Sequence, residues 1–296
     1  MEVQDLAVCC WRYLAKEGFD ALPLKQRIPE VALFRGEELQ ACYGSGPRGL
    51  LQRHGDKEAT REHLLDRLLM PYSRKGAEQL TRNTPVALLR WATAGAGAGE
   101  AADAAAACRC RVVRAGEVME LLEQRPGAGV PATAMPPDVA AGEAWSLQGL
   151  VTPSNGLRHV AVYSRTPSGE EGMEVFSKRF HEAFASPEEY EQPEQVAAPP
   201  EQAQVVEGKA IAIVRYLHRF QGLALARMVA EFVVDASGRT VLTGFEQAAL
   251  LPADAAQELL RESPSLQESM TSSAAVSTEL GTSRPNSATT AAADTA

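Results

Sequence analysis

The residues best placed to do chemistry lie between Glu231 and Glu246, where carboxylates alternate with apolar side chains. Glu231-Phe-Val-Val-Asp235 leads through the turn Asp235-Ala-Ser-Gly238 into Arg-Thr-Val-Leu-Thr-Gly-Phe-Glu246, which reads as a hairpin. Successive side chains on a strand face opposite ways, so Phe232 and Val234 share one side, and Glu231, Val233 and Asp235 share the other. A hard cation such as Mg²⁺ takes oxygen ligands. Carboxylates on paired strands are therefore the first candidates for metal and nucleotide chemistry in this chain.

Other chemistries lack their parts. Gly44-Ser-Gly-Pro-Arg-Gly49 spells G-x-G-x-x-G, but dinucleotide binding needs a buried strand entering and a long helix leaving. Glu37–Tyr43 is too polar for a central parallel strand, and Gly55 interrupts any helix that follows, so a surface turn is expected. No phosphate-cradling Gly-x₄-Gly-Lys-Ser/Thr loop and no G-x-S-x-G elbow occur. The five histidines (His54, His63, His159, His181, His218) are scattered without recognisable partners. Cys9, Cys10, Cys42, Cys108 and Cys110 form neither a disulfide framework nor a zinc spacing, and reduced, mostly buried thiols are expected.

The elements that would carry the hairpin read as an α+β fold. Expected are a helical amino-terminal section (1–91), a flexible Ala/Gly loop (92–107) and an α+β section (108–262) holding a mixed antiparallel sheet with a helix. A disordered loop (186–201) interrupts this section, and a disordered tail (263–296) follows it. Val3, Leu6, Cys10 and Leu14 make a first helical stripe. Asp56 caps a second helix that ends before Pro71. Ile28–Phe34, interrupted by Pro29, reads as an edge strand. Ser146–Val151 and Leu157–Arg165 read as a hairpin around Pro153-Ser-Asn-Gly156, and Gln204–Phe220 as a helix with Ile211, Val214, Leu217 and His218 on one side.

Net charge is −9, and the acidity lies in the carboxyl half while the amino half is slightly basic. Nucleic-acid binding is therefore unexpected, since phosphate contacts need cations. The acidic start resembles no targeting peptide, and no apolar run approaches a membrane span, so a cytoplasmic protein is expected.

The order hairpin, helix, hairpin resembles the carboxyl-terminal half of ATP-grasp ligases, particularly the tubulin–tyrosine-ligase-like group. Gln148, Pro153, Gly156 and Arg158 follow that group's order, and Glu231-Phe-Val-Val-Asp235 matches its acidic-Phe-x-x-Asp turn. The resemblance implies Gln148 and Arg158 near nucleotide, and Glu231 and Glu246 as metal ligands. Three departures stand against it. The family's metal-binding Glu falls on Gly244, its Asn falls on Glu246, and the Asp and Arg of its basic strand are replaced by Val160 and Val162.

With those positions lost, the expectation from sequence is a non-catalytic interaction or scaffold protein of the cytosol or cytoskeleton, with microtubules or cilia as its setting if the resemblance holds. It would have a protein partner and no cofactor. The alternatives are an ATP- and Mg-dependent ligase, and a weak RNA or anionic-lipid binder.

Overall fold

The computed structural model describes residues 6–15, 24–46, 48–73, 80–92, 106–123, 144–180, 194–252 and 254–256. The expectations for 93–105, for 186–193 and for the tail (263–296) lie outside these residues. Met1–Pro252 is one compact unit; of the second, Ala253–Ala296, a helical turn at Asp254–Ala256 is described.

In chain order the first unit holds α1 (Leu6–Leu14), β1 (Val31–Arg35), β2 (Glu38–Ser45), β3 (Leu51–Arg53), α2 (Arg61–Ser73), β4 (Pro85–Ala92), β5 (Ala106–Arg114) and α3 (Ala115–Glu123). It continues with β6 (Ala144–Gly149), β7 (Leu157–Arg165), β8 (Glu171–Arg179), β9 (Gln195–Ala197), α4 (Pro200–Gln221), β10 (Leu225–Val234) and β11 (Thr240–Leu250). The strands lie in the order β3-β2-β1-β6-β4-β5-β11-β10-β7-β8-β9, with antiparallel neighbours throughout. The α+β class holds. Alongside α1 and α2, the amino-terminal section supplies four strands.

Several local expectations change. β1 is not an edge strand, because β2 and β6 flank it; Pro29 lies before its first residue, where a missing N–H costs the ladder nothing. Nor do β6 and β7 form a hairpin. β6 pairs with β1 and β4, whereas β7 pairs with β8 and β10. The Asn-Gly turn is real, with Asn155 Oδ1 accepting the Leu157 N–H at 3.1 Å and Gly156 at φ 66°. It connects the two halves of the sheet instead of folding one back on itself. α2 is capped by Thr60, whose hydroxyl accepts the His63 N–H at 3.3 Å, and it runs through Pro71 to Ser73. Residues 195–201, expected as loop, contain β9 and the first turn of α4, where Pro200 suits the first helical position.

Two large apolar cores and a small third cluster around Leu88 and Cys110 form on the sheet. One gathers Trp11 and Leu14 of α1, Val206, Ala210, Ile213 and Leu217 of α4, and Phe232, Leu242 and Phe245 of the final hairpin. The buried stripe of α4 thus falls at 206, 210, 213 and 217, rotated from the expected face, while Ile211, Val214 and His218 are half-buried. The second core packs Leu64, Leu68, Val118 and Leu121 of α2 and α3 on Phe34, Leu89, Trp145 and Leu147. Where Ala87, Leu89 and Trp91 of β4 serve the second core, strand alternation turns Leu88 and Arg90 to the other face.

Candidate functional site

Phe232 is buried in the first core, so period two sends Glu231 through the opposite face of β10, where it is 1% exposed. A carboxylate so far from water must be paired and hydrogen-bonded to stay charged. Three strands supply its partners. Arg158 of β7 donates from Nη1 to Oε2 at 2.8 Å, and Thr243 of β11 donates from Oγ1 to Oε1 at 2.8 Å. Arg90 of β4 places Nη2 3.6 Å from Oε1. Arg90 and Arg158 are 2% and 1% exposed, so all three charges are buried together. Burial by itself would raise the Glu231 pKa. The charges of Arg158 and then Arg90, the Thr243 hydroxyl and the Lys178 ammonium outweigh it and hold the carboxyl down at about 2.

Lys178 stands opposite Arg158 in the β7–β8 register, on the same face. Its Nζ donates to both oxygens of Glu246 of β11, at 2.8 and 3.0 Å, and this pair is the part of the group that reaches solvent. The structure therefore brings Arg158, Glu231 and Glu246 into one constellation.

Gln148 lies on β6, opposite Leu88 of β4 in register, with Ser146 opposite Arg90. Residues opposite each other in an antiparallel pair share a face, so Gln148 and Ser146 are on the Arg90 side of that half. Both are fully buried. Neither amide atom of Gln148 nor the hydroxyl of Ser146 has a hydrogen-bond partner among the described residues. Buried polar atoms left so are uncommon, and each calls for a ligand, a water or a functional reason.

Asp235 stays outside the group. Its Oδ1 accepts the N–H groups of Ser237 and Arg239 at 2.8 and 2.9 Å, which builds the hairpin turn. The glycine-rich segment runs from the end of β2 into β3, so a strand and not a helix follows it directly and the dinucleotide fingerprint lacks its second half. Burial raises the thiol pKa values of Cys10, Cys108 and Cys110, and Arg90 nearby partly offsets this in each case. A cavity of about 530 Å³ lies elsewhere, between α1, β1 and β2, and its lining includes Arg12, Arg35, Arg53, Tyr13 and Tyr43 but none of Arg90, Arg158 or Glu231.

Sequence reading missed Arg90, Lys178 and Thr243. For Arg90 a signal existed, since it is the one charged residue in the apolar run Val86–Trp91. Lys178 and Thr243 carried none, because ordinary strand alternation accounts for both.

A magnesium ion does not fit these carboxylates as they are placed. Both oxygens of Glu231 are held by Arg158, Thr243 and Arg90, and both oxygens of Glu246 by Lys178. Gly244, which stands opposite Glu231 in the β10–β11 register, offers no side-chain oxygen. Among the described residues, no group of three or more His, Cys, Asp or Glu side chains is gathered to hold a metal. Among the same residues, no helix is long and apolar enough to cross a membrane.

No protein-family model matches the chain, and no curated protein matches it. Several solved structures do. An ADP complex of N5-carboxyaminoimidazole ribonucleotide synthetase aligns at 13% identity and TM-score 0.35, over 74% of this chain and 40% of that one. D-alanyl-alanine synthetase A from Vibrio cholerae aligns at 11% and TM-score 0.36, over 75% and 51%. A Chryseobacterium gregarium ATP-grasp ligase, bound to ADP and a leader and core peptide, aligns at 10% and TM-score 0.25, over 82% and 86%. The chain thus spans about half or less of the first two. The expectation of a non-catalytic scaffold of the cytoskeleton or cilium is corrected by this comparison, because these matches are enzymes that join molecules and nothing in them points to a scaffold. What the chain carries is a weak likeness to ATP-grasp ligases.

Proposed function

We propose that this chain takes part in ATP-dependent ligation of the ATP-grasp type, binding the nucleotide on the face that carries Arg90, Arg158 and Lys178. The observation that carries the proposal is the gathering of three cations, from β4, β7 and β8, around the buried carboxylate of Glu231. Phosphoryl transfer asks a protein mainly for positioning and for charge placed against the phosphate oxygens. Arginine serves both needs, since its planar fork matches phosphate oxygens two at a time. The unsatisfied atoms of Gln148 and Ser146 lie on the Arg90 face, and a bound nucleotide's polar edge would satisfy them. In this arrangement Glu231 orients the two guanidiniums and does not itself meet the substrate.

The test is calorimetric titration with ATP and with ADP, paired with an assay for ADP release in the presence of mixed carboxylate and amine acceptors. Saturable ATP binding, with ADP release that depends on an acceptor, is the expected result. A chain that binds neither nucleotide at millimolar concentration, while its melt remains cooperative, overturns the proposal.

A further inference from the structure

The cavity of about 530 Å³ between α1, β1 and β2 stands apart from the Glu231 group, and its walls follow from strand and helix geometry. Leu33 of β1 lies opposite Ala41 of β2, and Tyr43 of β2 lies opposite Arg53 of β3. Leu33, Ala41 and Tyr43 belong to the first core together with Phe232, so the cavity is on the face of the sheet that Glu231 points away from. Arg35 follows Leu33 by two residues on one strand and shares its face. Arg12 comes from the exposed side of α1. The Tyr13 carbonyl accepts Nε2 of Gln221 at 2.7 Å, which fastens the end of α4 to the end of α1 and makes Gln221 part of the wall.

Three guanidiniums thus surround one opening, on a chain whose net charge is −9. Arg12, Arg35 and Arg53 are exposed, while Leu33, Ala41 and Tyr43 beneath them are buried. Among the described residues that line the cavity there is no Asp or Glu. Glu38, opposite Arg35 in register, is exposed and outside the lining. A guanidinium carries five N–H donors, so those engaged elsewhere in the protein leave others for the cavity. Solvent reaches these cations directly. A ligand needs to open no buried ion pair to meet them, in contrast to the sealed Arg90, Arg158 and Glu231.

We infer that this cavity is a second binding site, for a small organic anion with an apolar or aromatic body. Arginine forks match the oxygens of carboxylate and phosphate alike, so the rim recognises the charge. The buried floor of Tyr43, Leu33 and Ala41 takes the body of the ligand, and the volume lies within the roughly 300–1,000 Å³ of small-molecule sites. The inference is independent of the nucleotide reading, whose residues lie on the other face.

The experiment titrates the full chain with phenyl phosphate, with phthalate and with inorganic phosphate, at one fixed ionic strength, by calorimetry. Saturable binding of at least one organic anion is expected, with inorganic phosphate about tenfold weaker because it lacks the body that the floor would cover. Arg12→Gln and Arg53→Gln should each weaken binding by about tenfold, the loss of a charge-assisted hydrogen bond. Arg239→Gln, an exposed arginine of the final turn, should leave it unchanged. Urea melts check that each variant is folded. Cys9, which lines the cavity, locates the ligand independently: a bound anion should slow its alkylation by iodoacetamide. Tighter binding of phenyl phosphate assigns the site to phosphate esters, and tighter binding of phthalate assigns it to carboxylates. Neither organic anion binding at millimolar concentration, inorganic phosphate binding as well as they do, or equal losses in Arg239→Gln and Arg53→Gln would each overturn the inference, as would binding that leaves Cys9 labelling unchanged.

Discussion

Arg90 and Gly244 occupy each other's space: the guanidinium carbon lies where a Cβ at residue 244 would have to go, 2.7 Å away. Neither residue is near the other in sequence, and each explains the other. A buried guanidinium needs room and a counter-charge. The bare backbone of β11 provides the room, and Glu231 across the β10–β11 ladder provides the charge.

Gly244→Ala should therefore destabilise the protein by about 1–3 kcal/mol, through backbone strain, with the collision against Arg90 adding to it. In a double-mutant cycle with Arg90→Ala the two losses should be less than additive, because the second change removes the collision but not the strain. Urea melts of the four proteins measure this. Strict additivity would mean that Arg90 moves aside at no cost.

Glu231→Gln should be costly despite its small change in shape. It keeps a hydrogen-bonding group but leaves Arg90 and Arg158 buried without their carboxylate, a loss of about 3–5 kcal/mol for a broken buried pair. Phe232→Ala, on the other face of the same strand, should cost about 3–5 kcal/mol by opening a cavity in the first core. Near-equal losses in denaturant melts are the expected outcome. A silent Glu231→Gln would show that the carboxylate is not desolvated.

The depressed pKa of Glu231 makes stability depend on acid. Its folded value of about 2 lies below the ordinary carboxylate value, so the unfolded chain takes up the proton first as pH falls. Its contribution is fully present above about pH 4.5 and is lost as pH falls towards about 2. Melts at pH 5, 4, 3 and 2 should show a fall in stability that is reduced in Glu231→Gln. An identical acid profile for the two proteins would contradict the pairing.

Burial holds the thiols of Cys10, Cys108 and Cys110 protonated beyond their ordinary range. Because the thiolate is the nucleophile, iodoacetamide at neutral pH should leave the buried Cys10 and Cys110 unmodified in the folded protein and label them after denaturation, with the half-buried Cys108 reacting before either. Peptide mass analysis reads the result directly, and rapid native labelling of Cys110 would refute it.

Much of this molecule follows from local pattern. The alternation Glu231-Phe232-Val233 determined which residue enters the core and which leaves it, since a strand has only two faces and Phe232 is apolar. The turn at Asp235, the helix over Gln204–Phe220 and the strand at Leu157–Arg165 were legible for the same reason, because each depends on neighbours within a few residues. Pairing across the sheet was not. Asn155-Gly156 specifies a turn but not which strands flank it, so β6 and β7 read as partners until the ladder placed them in different halves. The site was legible only in part: Arg158, Glu231 and Glu246 stood out in the sequence, while their pairing with Arg90, Lys178 and Thr243 did not. Arg90, Arg158, Lys178, Glu231 and Thr243 come from five strands, and their charges meet only because the sheet order brings those strands to one place. Residue type determined what each side chain could do. Tertiary structure decided that Glu231 faces two guanidiniums instead of water, because desolvation and Coulomb attraction depend on distance in space and not on separation along the chain.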